Sequence, residues 1–237
     1  MTEEAQPPLR APGFRARTAR LGVIAGAALL VAGIAWLSHG PSRTGSVAQD
    51  EKMLAVSNGP PWTLGQPRAR FALIAYADLE CPYCRQYLPT LRQLIAEHPE
   101  ANLQWRHLPL AEHEPAALQA ARLAECAGEV GGGAGFWSTV EWLYRQPSRP
   151  NSAPADPISA PNMSPRVQTC LRSARPEAII ARDLAEAKRD QVSATPTLRL
   201  LDRESGRALI LQGILAPDAL LSAMDLLASP TSEIEAK

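Results

Sequence analysis

The stretch DLECPYCRQYLP, residues 78–89, holds two cysteines with two residues between them, a proline directly after the first, and an apolar run just before. That run, RFALIAYADL at residues 70–79, has strand length and reads as a buried central strand. From Cys84 onward Tyr87, Leu88, Leu91, Leu94 and Ile95 recur at spacings of three and four. This is the period of an amphipathic helix, which ends before Pro99 and which Pro89 should kink. The cysteine pair therefore marks a strand-to-helix junction, with Pro82 suited to the first helical position. The chain has to build an α/β unit around it.

A zinc site would want a second cysteine pair or histidines at ligand spacing. Cys126 and Cys170 are 44 residues apart and His107 and His113 form no such cluster, so neither a metal nor another cofactor is expected. Covalent haem attachment needs a histidine after the second cysteine, and position 85 is Arg. A purely structural bond between Cys81 and Cys84 would close a tiny loop and remove little unfolded-state entropy. Redox exchange has a mechanism behind it. Cys81 lies where a helix leaves its amides unpaired, which favours a thiolate. The helix terminus contributes about 0.3–1 kcal/mol, less than the roughly 1.36 kcal/mol of one pKa unit, so neighbouring amides must carry most of any large depression. Cys81 is expected at an exposed helix tip, to form the mixed disulfide with another protein. Cys84, one turn inward and shielded, resolves it. Glu80 is either a proton relay or a solvated loop acid. His107 and His113 read as structural or solvent-facing.

Ahead of this unit, LGVIAGAALLVAGIAWL at residues 21–37 is uncharged, and as a helix would nearly cross a bilayer. Arg10, Arg15, Arg17 and Arg20 precede it, so the positive-inside bias puts residues 1–20 in the cytoplasm and the rest outside. A cleaved signal peptide and a buried helix are the competing readings. Outside the cytoplasm of a bacterium-like chain lies the periplasm, where disulfides persist. The expected place is the inner membrane, single-pass. The formal net charge of zero and 46% apolar content speak against a nucleic-acid partner and against disorder.

Residues 38–61 read as a linker, and the folded domain as residues 62–228, with 229–237 as a tail. NLQWRHLPL, residues 102–110, reads as a second strand with Leu103, Trp105 and His107 on one face. EPAALQAARLAECA and GFWSTVEWLYRQ read as two helices parted by the glycines at 131–133. An exposed loop with six prolines follows at 147–165, then helical stretches near 165–173 and 176–190, making a helical insert of about 112–190. TPTLRLLD and RALILQGIL read as a hairpin around Asp202 to Gly206, before a final helix with Pro217 near its start.

FALIAYADLECPYCRQYLP, LQWRHLPL, AARLAECAGE, GFW and VSATPTL, in this order, resemble the DsbA-like branch of the thioredoxin superfamily over residues 62–228. The resemblance implies an α/β thioredoxin-like fold with an inserted helical domain, here preceded by a transmembrane helix. It implies Cys81 and Cys84 as the catalytic pair, Pro196 as a cis-proline, and Thr195, Pro196, Pro82 and Tyr83 as the surface that meets substrate. Pro89 also matches a helix proline of thioredoxin-like proteins. The partners implied are thiols or disulfides of exported proteins and a redox partner that resets the pair. Pro82-Tyr83 departs from the proline-histidine pair of the best-known oxidases, so direction stays open between oxidase and reductase or isomerase. Residues 38–61 are too short for the dimerisation domain of DsbC-like isomerases, which favours the oxidase. Some relatives carry a cysteine pair like Cys126 and Cys170; here these are a structural disulfide or two buried thiols. An assembly factor that keeps only the fold, and a copper-delivery protein, are the competing classes.

Overall fold

The computed structural model describes residues 54–146, 160–161 and 163–230. The expected anchor at 21–37, most of the linker, most of the proline-rich loop and all but the start of the tail lie outside them. Among the described residues no helix is long and apolar enough to cross a membrane.

In chain order the elements are β1 (Thr63–Gly65), β2 (Phe71–Ala77), α1 (Pro82–Glu97), β3 (Ala101–His107), a 3-10 turn (Ala111–His113), α2 (Ala116–Arg145), α3 (Pro165–Leu171), α4 (Arg175–Arg189), β4 (Thr197–Asp202), β5 (Ala208–Gln212) and α5 (Pro217–Ala228). The strands form one sheet in the order β1-β3-β2-β4-β5. β2 is central and buried along its whole length, as its unbroken apolar run requires. Its alternate residues serve two cores. Phe71, Leu73, Ala75 and Ala77 pack with α1, α2 and α5, while Ala72, Ile74 and Tyr76 pack with Ala187 and Val192 on the other face. Each large side chain so buried contributes about 1.5–3 kcal/mol.

β2 and β3 run parallel, so the chain must cross over between them, and α1 makes the crossing. α1 starts with Pro82, whose missing N–H costs nothing there, and ends before Pro99. Pro89 lies inside it without ending it. β4 runs antiparallel to β2, and β5 turns back from β4 as the expected hairpin. Asp202 fixes that corner, accepting from Arg70 Nε and Nη2 at 3.0 Å each, from Ser205 Oγ at 2.8 Å and from the Glu204 amide at 3.0 Å.

Two features differ from the sequence reading, and a third follows it. β1 is a strand that three residues of pattern could not announce, and Val56, read as linker, bridges to Leu64 of β1. The second strand stops at His107, with Leu108–Leu110 continuing as loop toward the 3-10 turn. The two expected helices are both present along α2 and part at Gly132, inside the glycine run, where φ 63° and ψ −159° leave the helical region, a conformation that glycine adopts at little cost. A side chain at the adjacent Gly133 would collide with the Ser57 carbonyl, so this part of α2 admits the segment before β1. Cys126 of α2 is joined to Cys170 of α3 by a disulfide, with Cα atoms 5.6 Å apart.

Candidate redox site

Because β4 is antiparallel to β2, with Thr197 opposite Tyr76, the residues just before β4 lie at the end of the sheet where β2 delivers the cysteine loop. The Thr195–Pro196 peptide is cis, and the Cys81 thiol donates to the Thr195 carbonyl at 3.6 Å. Cys84 and Pro196 line one small cavity with Ala75, Tyr87, Leu103 and Trp105. Cys81, Cys84, Thr195 and Pro196 are thus assembled in one place. Pro82 and Tyr83 belong to the turn between the cysteines, and Tyr83 is 61% exposed beside them. Cys126 and Cys170 belong to the helical insert instead.

Cys81 is the N-cap residue of α1, with extended φ −71° and ψ 120°. A serine or aspartate there would accept from the free amides of the first turn. The Cys81 side chain makes no such cap, but the amides of Tyr83 and Cys84 both favour its thiolate. They are not the leading influence. The hydrogen bond from the Cys84 thiol is the largest, burial opposes it, and the Thr195 side chain adds to it before the two amides. Together they lower Cys81 from 9.0 to about 5. The amides do not carry most of the depression, as the sequence reading expected. A thiol one turn along the helix carries more. Cys84 pays the reciprocal effect: donation to Cys81 and then burial push it far above the thiol range. Thr195 Oγ1 is buried without a hydrogen-bond partner of its own, so its dipole is free to act on the sulfurs.

The expectation of an open helix tip is corrected. Cys81 is 3% exposed and Cys84 4%, and both are free thiols. The Thr195–Pro196 loop closes over the helix terminus, and the same closeness that supplies the stabilising contacts removes the exposure. Exposure therefore does not separate the two cysteines, but their surroundings do. Cys81 sits at the helix end under Thr195, while Cys84 faces the apolar cavity.

Sequence reasoning missed Asp78, whose side chain is fully buried. Its Oδ1 accepts from the Glu80 amide at 2.8 Å, and its Oδ2 from the Leu110 amide at 2.9 Å and His113 Nδ1 at 2.7 Å. Its carbonyl accepts from the Cys81 amide at 3.2 Å and from the Tyr144 hydroxyl at 3.1 Å. The signal was an acid directly after a fully apolar strand, where a carboxylate has to find partners. Glu80 is half-buried, and burial followed by the charge of Asp78 raises its pKa. His107 is structural, as read: its Nε2 lies 3.0 Å from Glu125 Oε1, which also accepts from Trp62 Nε1 at 2.8 Å. Among the described residues no group of three or more His, Cys, Asp or Glu side chains is arranged to hold a metal ion. What the arrangement offers chemically is one stabilised thiolate beside one protonated thiol.

A family model described as thioredoxin matches residues 57–212. Among solved structures, DsbA2 of Pseudomonas aeruginosa is 36% identical with a TM-score of 0.66, covering 73% of this chain and 96% of that one. Oxidised BdbD of Bacillus subtilis, 16% identical with a TM-score of 0.58 and covering 74% and 97%, shares the fold. Among curated proteins, Na(+)/H(+) antiporter NhaA 3 of Salinispora tropica is 34% identical over 137 residues, 56% of this chain and 20% of the antiporter. The chain thus spans about a fifth of the length of the curated relatives it matches first.

Proposed function

The chain belongs to the thioredoxin family as a DsbA-like member, and from that premise we propose that it is a thiol-disulfide oxidoreductase that donates disulfides to exported proteins through Cys81 and Cys84. The observation that carries this is the placement of two free thiols one turn apart at the start of α1, with Cys81 3.6 Å from the carbonyl of the cis Thr195–Pro196 peptide, a setting that lowers Cys81 to about 5 and raises Cys84. A stabilised thiolate favours the reduced pair. At pH 7, a thiol at about 5 instead of about 9 shifts the equilibrium about a hundredfold, or about 60 mV in the oxidising direction.

In the exchange, a substrate thiolate attacks Sγ of Cys81. The Cys81–Cys84 bond breaks, and Cys84 leaves with the electron pair and takes up a proton. A second substrate thiolate then attacks the substrate's own sulfur and releases Cys81 as a thiolate. The substrate loses two electrons and the pair gains them, so a second redox protein must reoxidise the pair after each turnover. Tyr83, Pro82 and the backbone around Thr195 and Pro196 form the surface on which the substrate chain lies. The buried Cys81 requires that chain to displace the loop's cover or to reach the sulfur along its narrow open side. The apolar run at 21–37 would hold this domain on the periplasmic face of the inner membrane. Ion exchange is not carried over from the antiporters, since the shared segment is so small a part of them. The test is to mix the oxidised full-length chain in detergent with a reduced, unfolded exported protein. Substrate disulfides should form as Cys81–Cys84 is lost, and Cys84→Ala, mixed with the same exported protein in its disulfide form, should accumulate mixed disulfides as Cys81 attacks a substrate disulfide and nothing resolves the product. No transfer and no trapped species would refute the proposal.

A further inference from the structure

Asp78 joins two things that the exchange reaction alone does not connect. Its carbonyl holds the Cys81 amide at 3.2 Å, and its carboxylate holds His113 Nδ1 at 2.7 Å. With Oδ2 also taking the Leu110 amide and Oδ1 the Glu80 amide, the carboxylate is fixed in place, and so is the ring it holds. His113 is 26% exposed in side chain, so it exchanges protons with solvent, while its partner is fully buried. Among the described residues, the titratable groups acting on it are Asp78 and Glu80 from the loop after β2, Cys81 at the start of α1, and Glu112 in its own turn.

We propose that His113, held on Asp78, is a positioning residue for the redox pair: its protonated ring stabilises the Cys81 thiolate, so reduction of the disulfide draws a proton onto His113. This rests on the exchange reaction proposed above and adds a control to it. Reduction places a negative charge at Cys81 and a proton on Cys84. A cation held nearby on the Asp78 carboxylate lowers the energy of that charge, and the charge in turn holds the cation's proton. Burial is the largest single influence on His113 and works to lower its pKa. The hydrogen bond and charge of Asp78, with the charge of Cys81, outweigh it and leave the ring raised.

The test is the equilibrium of the full-length chain in detergent against glutathione, measured between about pH 5.5 and 8. A couple that binds only the Cys84 proton on reduction gains about tenfold per pH unit against glutathione, which binds two. Proton uptake by His113 flattens that rise where the ring titrates. The wild-type curve should flatten above about pH 6.5, and His113→Asn, which retains a donor for Asp78 without the charge, should follow the tenfold line throughout. At pH 7 the variant should be about threefold less oxidising. In the wild type, the His113 ring resonances should titrate at a higher pH in the reduced than in the oxidised protein, a readout independent of whether the variant folds. Equal titration in both states, a straight wild-type curve, or the same flattening in the variant would overturn the inference. Failure of the wild type to exchange with glutathione at all would instead overturn the oxidoreductase reading beneath it.

Discussion

The Cys81 sulfur lies 3.6 Å from the Thr195 carbonyl oxygen, across 114 residues of chain. This closeness follows from the antiparallel pairing of β2 with β4, and it makes Thr195 part of the sulfur's environment. The Thr195 hydroxyl favours the thiolate, yet it is buried and unpartnered. Thr195→Val should therefore raise the Cys81 pKa above about 5, leave the stability of the oxidised protein unchanged, and make the reduced protein less stable at pH 7 by about 1.4 kcal/mol for each tenfold weakening of the Cys81 acid. Thiolate absorbance against pH, with urea unfolding of the same variant, checks both halves.

The lowered Cys81 also makes stability depend on pH. A thiol whose folded value lies below its unfolded value contributes stability that is fully present above the unfolded value and lost as pH falls through the folded one. For Cys81 that window runs from about 9 down to about 5. The raised Cys84 adds nothing below the ordinary thiol range and opposes above it. Between pH 5 and 7 the reduced protein should gain on the order of 2–3 kcal/mol over the oxidised protein. Parallel denaturant titrations of the two forms at several pH values measure the difference.

Glu125 is the carboxylate partner of the buried His107 ring, and shares Oε1 between it and Trp62. Glu125→Ala leaves two buried donors without an acceptor and should cost about 3–5 kcal/mol. Glu125→Gln retains an acceptor oxygen and should cost about half as much. The midpoint of urea unfolding for each variant checks this, and a Glu125→Gln variant as stable as the wild type would show that Glu125 matters only by filling space.

The Cys126–Cys170 disulfide closes a loop of 44 residues between α2 and α3. Replacing both by alanine should cost about 4 kcal/mol in the chain-entropy account. Because this bond lies in the helical insert, the Cys81–Cys84 equilibrium against glutathione should be unchanged. A shifted equilibrium would couple the insert to the redox pair.

The strand before Cys81, the helix after it and the final hairpin were legible because each obeys a local rule: an unbroken apolar run, a three-and-four spacing, a turn between strand-like runs. The assembly of Cys81 with Thr195 and Pro196 was legible only through the family resemblance, since nothing local links residues so distant. β1 was not, because three residues carry no period, whereas the glycine run at 131–133 announced the break at Gly132. Asp78 was missed because a loop acid beside a cysteine reads as solvated until its three donors, one of them Leu110 from another loop, are placed around it. The burial of Cys81 was missed for a related reason: the cover comes from the distant Thr195 loop, not from the helix that carries the sulfur.

The proposed role in donating disulfides requires that the environment of Cys81 stabilise its thiolate. The most direct test is the reduction potential of the Cys81–Cys84 couple in the full-length chain against glutathione at pH 7. The expected value is closer to the about −120 mV of a strong oxidant than to the about −270 mV of a reductant. A value at or near the latter would contradict it, and the pair would then pass electrons in the opposite direction.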